Sequence, residues 1–265
     1  MTATYLDDIV RYHRERAERD TRLWQERLGG VHYRGASLVD ALAPDATSNV
    51  KVIAEVKRRS PSKGWLDEDL DVAQVARDYT AGGASAISVL TDGPHFAGSS
   101  EDVAVARTET DLPLLRKDFT VCANDVLDAA EMGAAAVLLI VAALDDEELA
   151  LLSSVGVQCG LAVVVEVHDH EEARRALDVG ARLIGVNQRD LRTFDVNADR
   201  AAEVIESLPP DVVTVAESGL RTVSDVERAA RAGFDAVLVG ESFIRASDRV
   251  QAVRTFAGVA RVARA

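Results

Sequence analysis

Lysine is rare in this chain, and the positions of the few lysines are the first indication of chemistry. Only four of the 30 basic residues are lysines, namely Lys51, Lys57, Lys63 and Lys117. Arginine is protonated at any physiological pH, whereas the pKa of lysine shifts with its surroundings and allows proton transfer. We therefore treat these four residues as the first candidates for acid–base catalysis, with codon bias as the alternative explanation.

Two of these lysines end apolar runs and stand near acidic residues. Glu55 and Lys57 are two positions apart, so in an extended segment their side chains lie on the same side. Lys117 follows a second apolar run, which ends at Leu115, with Arg116 between them. A carboxylate next to an ammonium fixes its orientation and charge for catalysis, although a structural ion pair has the same spacing.

Three further apolar runs end on Glu166, Asn187 and Glu217. Any one of these residues could be a solvated side chain where a strand meets its loop. A combination of acids, bases and an amide on inward-facing strand ends has no packing purpose, and it is costly unless the charges are matched or used. Together these residues predict one acid–base site.

The elements that must position these residues form a regular series from about residue 50 onward. Short β-branched runs alternate with amphipathic stretches, and a glycine follows most of the helical stretches, as is typical of helix ends. No G-x-G-x-x-G motif follows the first strand, which disfavours a dinucleotide-binding open sheet. The pattern predicts an α/β protein, a closed (β/α)8 or TIM barrel, with strands at 50–56, 86–90, 112–115, 136–140, 162–167, 183–186, 212–215 and 236–239.

The first part of the chain has a different rhythm. Apolar residues recur at helical spacing among charges, at Tyr5, Leu6, Ile9 and Val10. We expect residues 1–48 to form an N-terminal helical extension, and residues 49–265 to form the barrel, within a single domain.

Small residues follow the first, seventh and eighth predicted strands. They occur in Ser60-Pro61-Ser62-Lys63-Gly64, in Glu217-Ser218-Gly219-Leu220 and in Gly240-Glu241-Ser242. The loops after strands seven and eight of such barrels commonly bind phosphate through backbone N–H groups. The expected ligand is a small sugar phosphate.

Composition excludes several other classes of protein. The net charge of −14 disfavours binding to nucleic acid or to anionic lipid. No apolar run approaches the roughly 18 residues of a membrane span, and the charged N-terminus does not resemble a signal peptide. Cys122 and Cys159 are too few for a disulfide scaffold, so we expect free thiols and a cytoplasmic protein. The oligomeric state is not predicted.

Several motifs together resemble the indole-3-glycerol phosphate synthase family of tryptophan biosynthesis, over nearly the whole chain. The first and second motifs below are the most specific, whereas the last two are shared with other phosphate-binding barrels. The motifs are Ile-Ala-Glu-Val-Lys-Arg-Arg-Ser-Pro-Ser-Lys-Gly (53–64), Leu-Arg-Lys-Asp-Phe (115–119), Val-Glu-Val-His (165–168), Gly-Val-Asn-Gln-Arg-Asp-Leu (185–191), Ala-Glu-Ser-Gly (216–219) and Val-Gly-Glu-Ser (239–242).

This resemblance implies a lyase that closes the indole ring with loss of carbon dioxide and water, and that uses no metal or organic cofactor. It implies that Lys117 is a general acid and Glu166 the general base. Lys57, held by Glu55, would contact the substrate carboxylate, and Asn187 would orient the reacting atoms. The family also implies that the N-terminal extension covers the barrel near the substrate.

The remaining implied roles concern binding. Glu217 and Ser218 would line the pocket, and Arg189 would stabilise the site or an anionic end of the substrate. The resemblance leaves open which lysine protonates which oxygen. Phosphate would be bound by Ser60, Gly219, Gly240 and the backbone of Glu241. Phe96 and Phe119 would flank the aromatic ring of the substrate or, alternatively, serve only in loop packing.

The sequence departs from the family pattern at two places and leaves three rival readings. Arg59 stands where many relatives have a small residue, and no aromatic follows the Lys-Asp-Phe motif.

A metal-dependent aldolase would use Glu166, His168 and His170 as ligands, although a fourth ligand is lacking. A Schiff-base aldolase would use one of the two lysines. A non-catalytic or altered-specificity sugar-phosphate-binding barrel would have kept the fold without needing the acid–base set.

Overall fold

Eight parallel strands pair edge to edge in a closed ring, in a computed structural model that describes residues 4–44, 49–190 and 195–264. Neighbouring strands follow chain order around the ring, and the last strand pairs with the first. The barrel strands are β1 (Lys51–Val56), β4 (Ala86–Leu90), β5 (Leu114–Lys117), β6 (Ala136–Ile140), β7 (Ala162–Val167), β8 (Leu183–Asn187), β9 (Val213–Glu217) and β10 (Ala236–Val239). The fold is a TIM barrel, as predicted.

Helices surround the barrel, and a two-stranded hairpin follows its first strand. The hairpin consists of β2 (Arg59–Ser60) and β3 (Gly64–Trp65). A single 3-10 turn lies at Val141–Ala143. The helices are α1 (Tyr5–Glu18), α2 (Trp24–Leu28), α3 (Leu38–Leu42), α4 (Val72–Gly82), α5 (Gly93–Phe96), α6 (Ser100–Glu109), α7 (Ala123–Glu131), α8 (Asp146–Gln158), α9 (His170–Asp178), α10 (Ala198–Glu206), α11 (Val223–Ala232), α12 (Glu241–Ile244) and α13 (Arg249–Ala257).

The barrel strands are apolar because both of their faces are buried. One face packs against the surrounding helices, and the other fills the barrel interior with side chains such as Ile53, Leu115, Val164, Leu183 and Val215. Side chains two positions apart point to the same side of a strand. The polar residues at the strand ends therefore continue the inward-facing series, which is why they meet at one end of the barrel.

Three strands extend beyond the apolar runs that predict them and end at the polar residues that the sequence marks as strand ends. The third, sixth and seventh barrel strands run on to Lys117, Asn187 and Glu217, past the last apolar residue of each run. Backbone pairing continues there, since Lys117 is in register with Leu90, and Asn187 with Glu217. Hydrophobicity marks where the core ends, whereas the ladder of hydrogen bonds ends one or two residues later.

The N-terminal region is helical, as its spacing predicts. Helix α1 buries Leu6, Ile9 and His13, and it is held to the barrel by an ion pair of 2.7 Å between Arg16 and the buried Asp125. The predicted boundary between extension and barrel, at residue 48, lies outside the described residues, and the division into these two parts stays a prediction. Among the described helices, none has the length and apolarity that crossing a membrane requires.

Candidate active site

One cavity opens at the carboxyl ends of the barrel strands. It brings together every site residue that the sequence predicts, from seven of the eight strands or the loops that follow them. These residues are Glu55, Lys57, Ser60, Phe96, Lys117, Phe119, Glu166, Asn187, Arg189, Glu217, Ser218, Gly219, Gly240 and Glu241. The other two lysines lie elsewhere: Lys51 begins β1 at its far end, and Lys63 is exposed in the hairpin turn.

The ammonium of Lys117 lies between two buried carboxylates. Its Nζ donates hydrogen bonds to Glu217 Oε2 at 3.1 Å and to Glu166 Oε2 at 3.3 Å. Asn187 Nδ2 donates to the other oxygen of Glu166 at 3.0 Å. Each glutamate side chain is 2% exposed, so water contributes little to stabilising their charge. The four side chains come from four different strands, and only barrel closure brings them into contact.

The two carboxylates differ in protonation. Burial alone would raise the pKa of Glu166, but the charges of Lys117 and His168 and the hydrogen bond from Asn187 hold it below the usual value. Burial raises the pKa of Glu217 to about 7. The attraction of Lys117 opposes this rise, and the repulsion from Glu166 adds to it. Near neutral pH the site therefore holds an ionised carboxylate and a carboxyl group that gains and loses a proton readily.

Lys117 itself is held in its protonated form. Burial disfavours the charged ammonium, but three carboxylates, led by Glu217 and Glu166, outweigh this effect and raise the pKa of Lys117. An ammonium in contact with an ionised carboxylate is a proton donor that can be reprotonated within the site. The arrangement thus has an acid and a base side by side.

A second ion pair lies on the β1 side of the cavity. Lys57 Nζ donates a short hydrogen bond to Glu55 Oε2, and the Glu55 side chain is 3% exposed. Gly240 leaves the space for this pair, because a Cβ there would clash with Glu55. Gly185 does the same for Glu217. These two glycines are needed for close approach and not for a special backbone conformation.

His168 lies beside Glu166, although it is not part of the predicted acid–base set. Its Nδ1 pairs with Glu172 Oε2 at 2.9 Å, and its Nε2 lies 3.6 Å from Glu166 Oε1, buried and without a hydrogen-bond partner among the described residues. Burial disfavours the imidazolium, but Glu172 and Glu166 raise the pKa of His168. Its alternation with Glu166 along the strand is the one signal that points to this contact.

The loops after β9 and β10 form the part of the cavity wall next to β1. Ser218 and Gly219 both have positive φ angles, 67° and 74°, a strained conformation for serine that is typical of functional turns. Ser242 Oγ donates a hydrogen bond to the carbonyl of Leu220 at 3.0 Å, which joins the two loops. The turn places small residues and their backbone against the cavity.

Two aromatic side chains and one cationic residue complete the predicted set. The rings of Phe96 and Phe119 are 6.1 Å apart, so each contributes both to loop packing and to the cavity wall. The Arg189 side chain is partly buried, and burial together with the charge of Arg221 lowers its pKa. The Arg189 backbone N–H donates to Asn187 Oδ1 at 3.0 Å, which fixes the orientation of that amide.

Helix α1 contributes cavity residues that were not singled out from the sequence. Tyr5, Leu6 and Ile9 line the cavity and form an apolar part of its wall. Their helical spacing was visible, but not which surface they would cover. The unusual Arg59 bonds the carbonyls of Pro94 and His95 and lies 5.3 Å from the Trp65 ring, which ties the hairpin to the loop after β4.

The metal-dependent alternative receives no support from the geometry. Glu166 and His168 are neighbours, but His170 is exposed at the start of α9 and contacts Ser207 Oγ at 3.3 Å. In the part of the chain that the structure describes, these three residues do not form a group that could hold a metal ion.

A TIM barrel with paired lysines and glutamates at its mouth, facing loops of small residues, belongs to the class of barrel enzymes that act on small phosphorylated substrates. The family model described as indole-3-glycerol phosphate synthase matches residues 6–256. The chain belongs to this family.

Curated relatives agree over most of their length. A protein named indole-3-glycerol phosphate synthase from Streptomyces griseus is 45% identical over 249 residues, which cover 94% of this chain and 93% of the relative. A protein of the same name from Leifsonia xyli is 44% identical over 259 residues, which cover 98% of this chain and 97% of the relative. A third protein of that name, from Nocardioides, is 50% identical over 208 residues, which cover 78% of this chain and 80% of the relative.

Solved structures are similar in fold only. Thiamine phosphate pyrophosphorylase from Pyrococcus furiosus has a TM-score of 0.60 at 18% identity, covering 78% of this chain and 93% of that one. A 3-hexulose-6-phosphate synthase from Salmonella typhimurium has a TM-score of 0.59 at 15% identity, covering 78% and 96%. At these identities the similarity supports the barrel fold and not an activity.

Proposed function

We propose that this protein is a lyase that converts 1-(2-carboxyphenylamino)-1-deoxyribulose 5-phosphate to indole-3-glycerol phosphate, carbon dioxide and water. Membership of the family supports the overall reaction. The observation that carries the assignment of residues is the contact of the Lys117 ammonium with both Glu166 and Glu217 in the cavity that Lys57 also lines.

The first step is ring closure. The aromatic carbon that bears the carboxylate attacks the ribulose carbonyl carbon, and a lysine gives a proton to the carbonyl oxygen. Lys117 is our candidate for this general acid, because the adjacent carboxylates keep it protonated. Lys57 pairs with the substrate carboxylate until the carbon–carbon bond breaks and carbon dioxide leaves as a neutral molecule.

Dehydration follows decarboxylation. The hydroxyl formed from the carbonyl leaves as water after protonation, and a proton is removed to complete the indole double bond. Glu166 suits the role of base because its pKa is lowered and it is ionised at neutral pH. Asn187 donates to Glu166 and thereby fixes the direction of its lone pairs.

Binding of the two ends of the substrate uses different parts of the cavity wall. We assign the phosphate to Ser60, Gly219, Gly240 and the backbone of Glu241, with Arg189 near an anionic end. Phe96 and Phe119 offer ring faces to the aromatic part of the substrate, at the wall to which α1 contributes its apolar side chains. A partly apolar cavity excludes water and strengthens the charge interactions inside it.

The direct test is to incubate the purified protein with the carboxyphenylamino-deoxyribulose phosphate and to follow indole absorbance. We expect product formation that persists after treatment with a chelator. Absence of product would favour the altered-specificity or non-catalytic barrel, and product only with added metal would revive a metal-dependent mechanism. Trapping of the substrate on the chain by borohydride would indicate a Schiff base instead of proton transfer from the ammonium.

A further inference from the structure

Two imidazoles and a buried carboxylate meet where α1 crosses the loop after β4. His13 lies on α1, Asp92 caps the short helix α5, and His95 lies within α5. Across residues 4–44, 49–190 and 195–264, this is the one group of three histidine, cysteine or acidic residues whose candidate ligand atoms all lie within 4.8 Å of one another. The predicted acid–base set includes none of them.

The distances within the group are close to those of a metal centre. His13 Nε2 and His95 Nδ1 lie 2.8 Å and 3.0 Å from the same oxygen, Asp92 Oδ2. Around a tetrahedral zinc ion with bonds near 2.0–2.1 Å, adjacent ligand atoms are about 3.3 Å apart. An expansion of a few tenths of an ångström therefore makes room for an ion. Asp118 Oδ1, 3.8 Å from His13 Nε2, offers a further oxygen.

The group is largely buried, and His95 is its most exposed member. The side chains of His13 and Asp92 are 4% and 0% exposed, whereas that of His95 is 20% exposed. Asp92 offers Oδ2, the oxygen that both imidazoles contact, as its ligand atom. The other oxygen, Oδ1, accepts the backbone N–H groups of His95 and Phe96, which fixes the side chain.

We propose that His13, Asp92 and His95 bind one divalent transition-metal ion of the zinc class and so join α1 to the loop that carries Phe96. Two imidazoles and one carboxylate suit zinc, cobalt or nickel better than magnesium or calcium, which prefer oxygen ligands alone. The ion takes no part in the proposed reaction. It fixes the helix that supplies Tyr5, Leu6 and Ile9 to the cavity wall.

The surroundings of His13 indicate moderate affinity. A histidine ligand normally donates its second ring N–H to a partner, and loss of such a partner lowers metal affinity by about 10- to 100-fold. His13 Nδ1 is buried and has no hydrogen-bond partner among the described residues. The ring packs against Phe119 at 5.5 Å instead. We therefore expect binding weaker than that of a fully supported zinc site.

Calorimetric titration of the metal-stripped full chain with zinc chloride, in a phosphate-free buffer at neutral pH, tests the proposal. We expect one ion per chain, and the visible absorption bands of four- or five-coordinate cobalt when Co²⁺ replaces zinc. His13→Gln and His95→Phe should each weaken binding at least tenfold and abolish the cobalt bands. His170→Gln, which removes an exposed imidazole on α9, is the matched control and should bind as the parent does.

Thermal unfolding gives a second measurement that does not depend on activity. Zinc at a hundred times its dissociation constant should raise the Tm of the parent chain by about 5 °C, and should leave the Tm of His95→Phe unchanged. If His13→Gln does not fold, His95→Phe decides, because its side chain is partly exposed. No zinc binding by the parent, or equal binding by His95→Phe, would overturn the proposal, whatever the outcome of the indole assay.

Discussion

The two ends of the barrel bury charge in different ways. At the amino end, Asp235 has partners for both oxygens: Arg261 lies 2.9 Å from Oδ1, and Thr214 donates to Oδ2 through its backbone N–H and its hydroxyl. At the carboxyl end, Glu217 Oε1 lacks a hydrogen-bond partner among the described residues, and Lys117 is shared between two carboxylates.

The charge cluster at the amino end therefore has a structural role, whereas the cluster at the carboxyl end has groups available for a reaction. A buried carboxylate with partners for both oxygens, such as Asp235, stabilises the fold and has no unused capacity for a substrate. Unsatisfied atoms at the mouth weaken the fold but leave groups free to bind or to exchange protons. Mutations at the two ends should therefore separate loss of activity from loss of stability.

Lys117→Ala should give the largest effect. Removing the proposed general acid should lower kcat by about 10²- to 10⁴-fold while substrate affinity stays within roughly tenfold, because the phosphate and ring contacts remain. Steady-state kinetics with the indole assay measures both. Lys51→Ala, at the other end of β1, is the matched control. An unchanged kcat in Lys117→Ala would remove this residue from the mechanism.

Asp235→Ala should show the opposite behaviour. It leaves Arg261 and Arg264 without their buried partner and should lower the free energy of unfolding by about 3–5 kcal/mol, with unchanged kcat per folded molecule. Urea denaturation checks the first part and the indole assay the second. Asp211→Ala removes an exposed ion pair with Arg182 and should change stability little. Equal effects of the two variants would contradict a structural role for the amino-end cluster.

Glu217→Gln should change how stability depends on pH. Because the pKa of Glu217 in the folded chain, about 7, lies above its usual value of 4.5, the folded chain binds this proton more tightly. The resulting stability is complete below about pH 4.5 and is lost as the pH rises through 7, by at most about 1.4 kcal/mol per pH unit.

Glutamine imitates the protonated acid, so the variant should match the parent near pH 4.5 and exceed it in stability at pH 8. Urea denaturation at several pH values measures the difference, with Glu206→Gln at an exposed position as the control. A difference that does not vary with pH would show that Glu217 does not titrate in this range.

His168→Gln should move the pH dependence of activity. The imidazolium near Glu166 helps to keep that carboxylate ionised, so its loss should shift the acidic limb of the kcat/KM profile upward by about one pH unit. Glu172→Gln, which removes the partner of His168 Nδ1, should shift it in the same direction by less. A fall in kcat with an unmoved profile would indicate a purely structural role.

Phe96→Leu should have the smallest effect. Loss of one aromatic face is worth about 0.5–1.5 kcal/mol, which corresponds to a rise in KM of roughly 2- to 12-fold with little change in kcat. Leu151→Ala, at an exposed position on α8, controls for the loss of apolar surface. An unchanged KM would leave Phe96 with loop packing alone.

The sequence alone determined the barrel and the polar residues that meet where its strands end. Strand positions follow from short apolar runs, and helix ends from Gly83, Gly133, Gly180 and Gly233, all of which have positive φ. Parallel strands place their carboxyl ends together, so residues that end those runs had to meet. Both inferences depend only on local periodicity and on one topological rule.

Only the tertiary structure decided how these groups divide the chemistry. Glu166 and Glu217 look alike in sequence, but they differ in protonation because the Asn187 side chain donates its hydrogen bond to Glu166 and His168 lies beside Glu166. The meeting of His13 with Asp92, 79 positions apart, was equally invisible. Such contacts depend on long-range packing, and the protonation of a buried group depends on every charge around it, which local sequence does not specify.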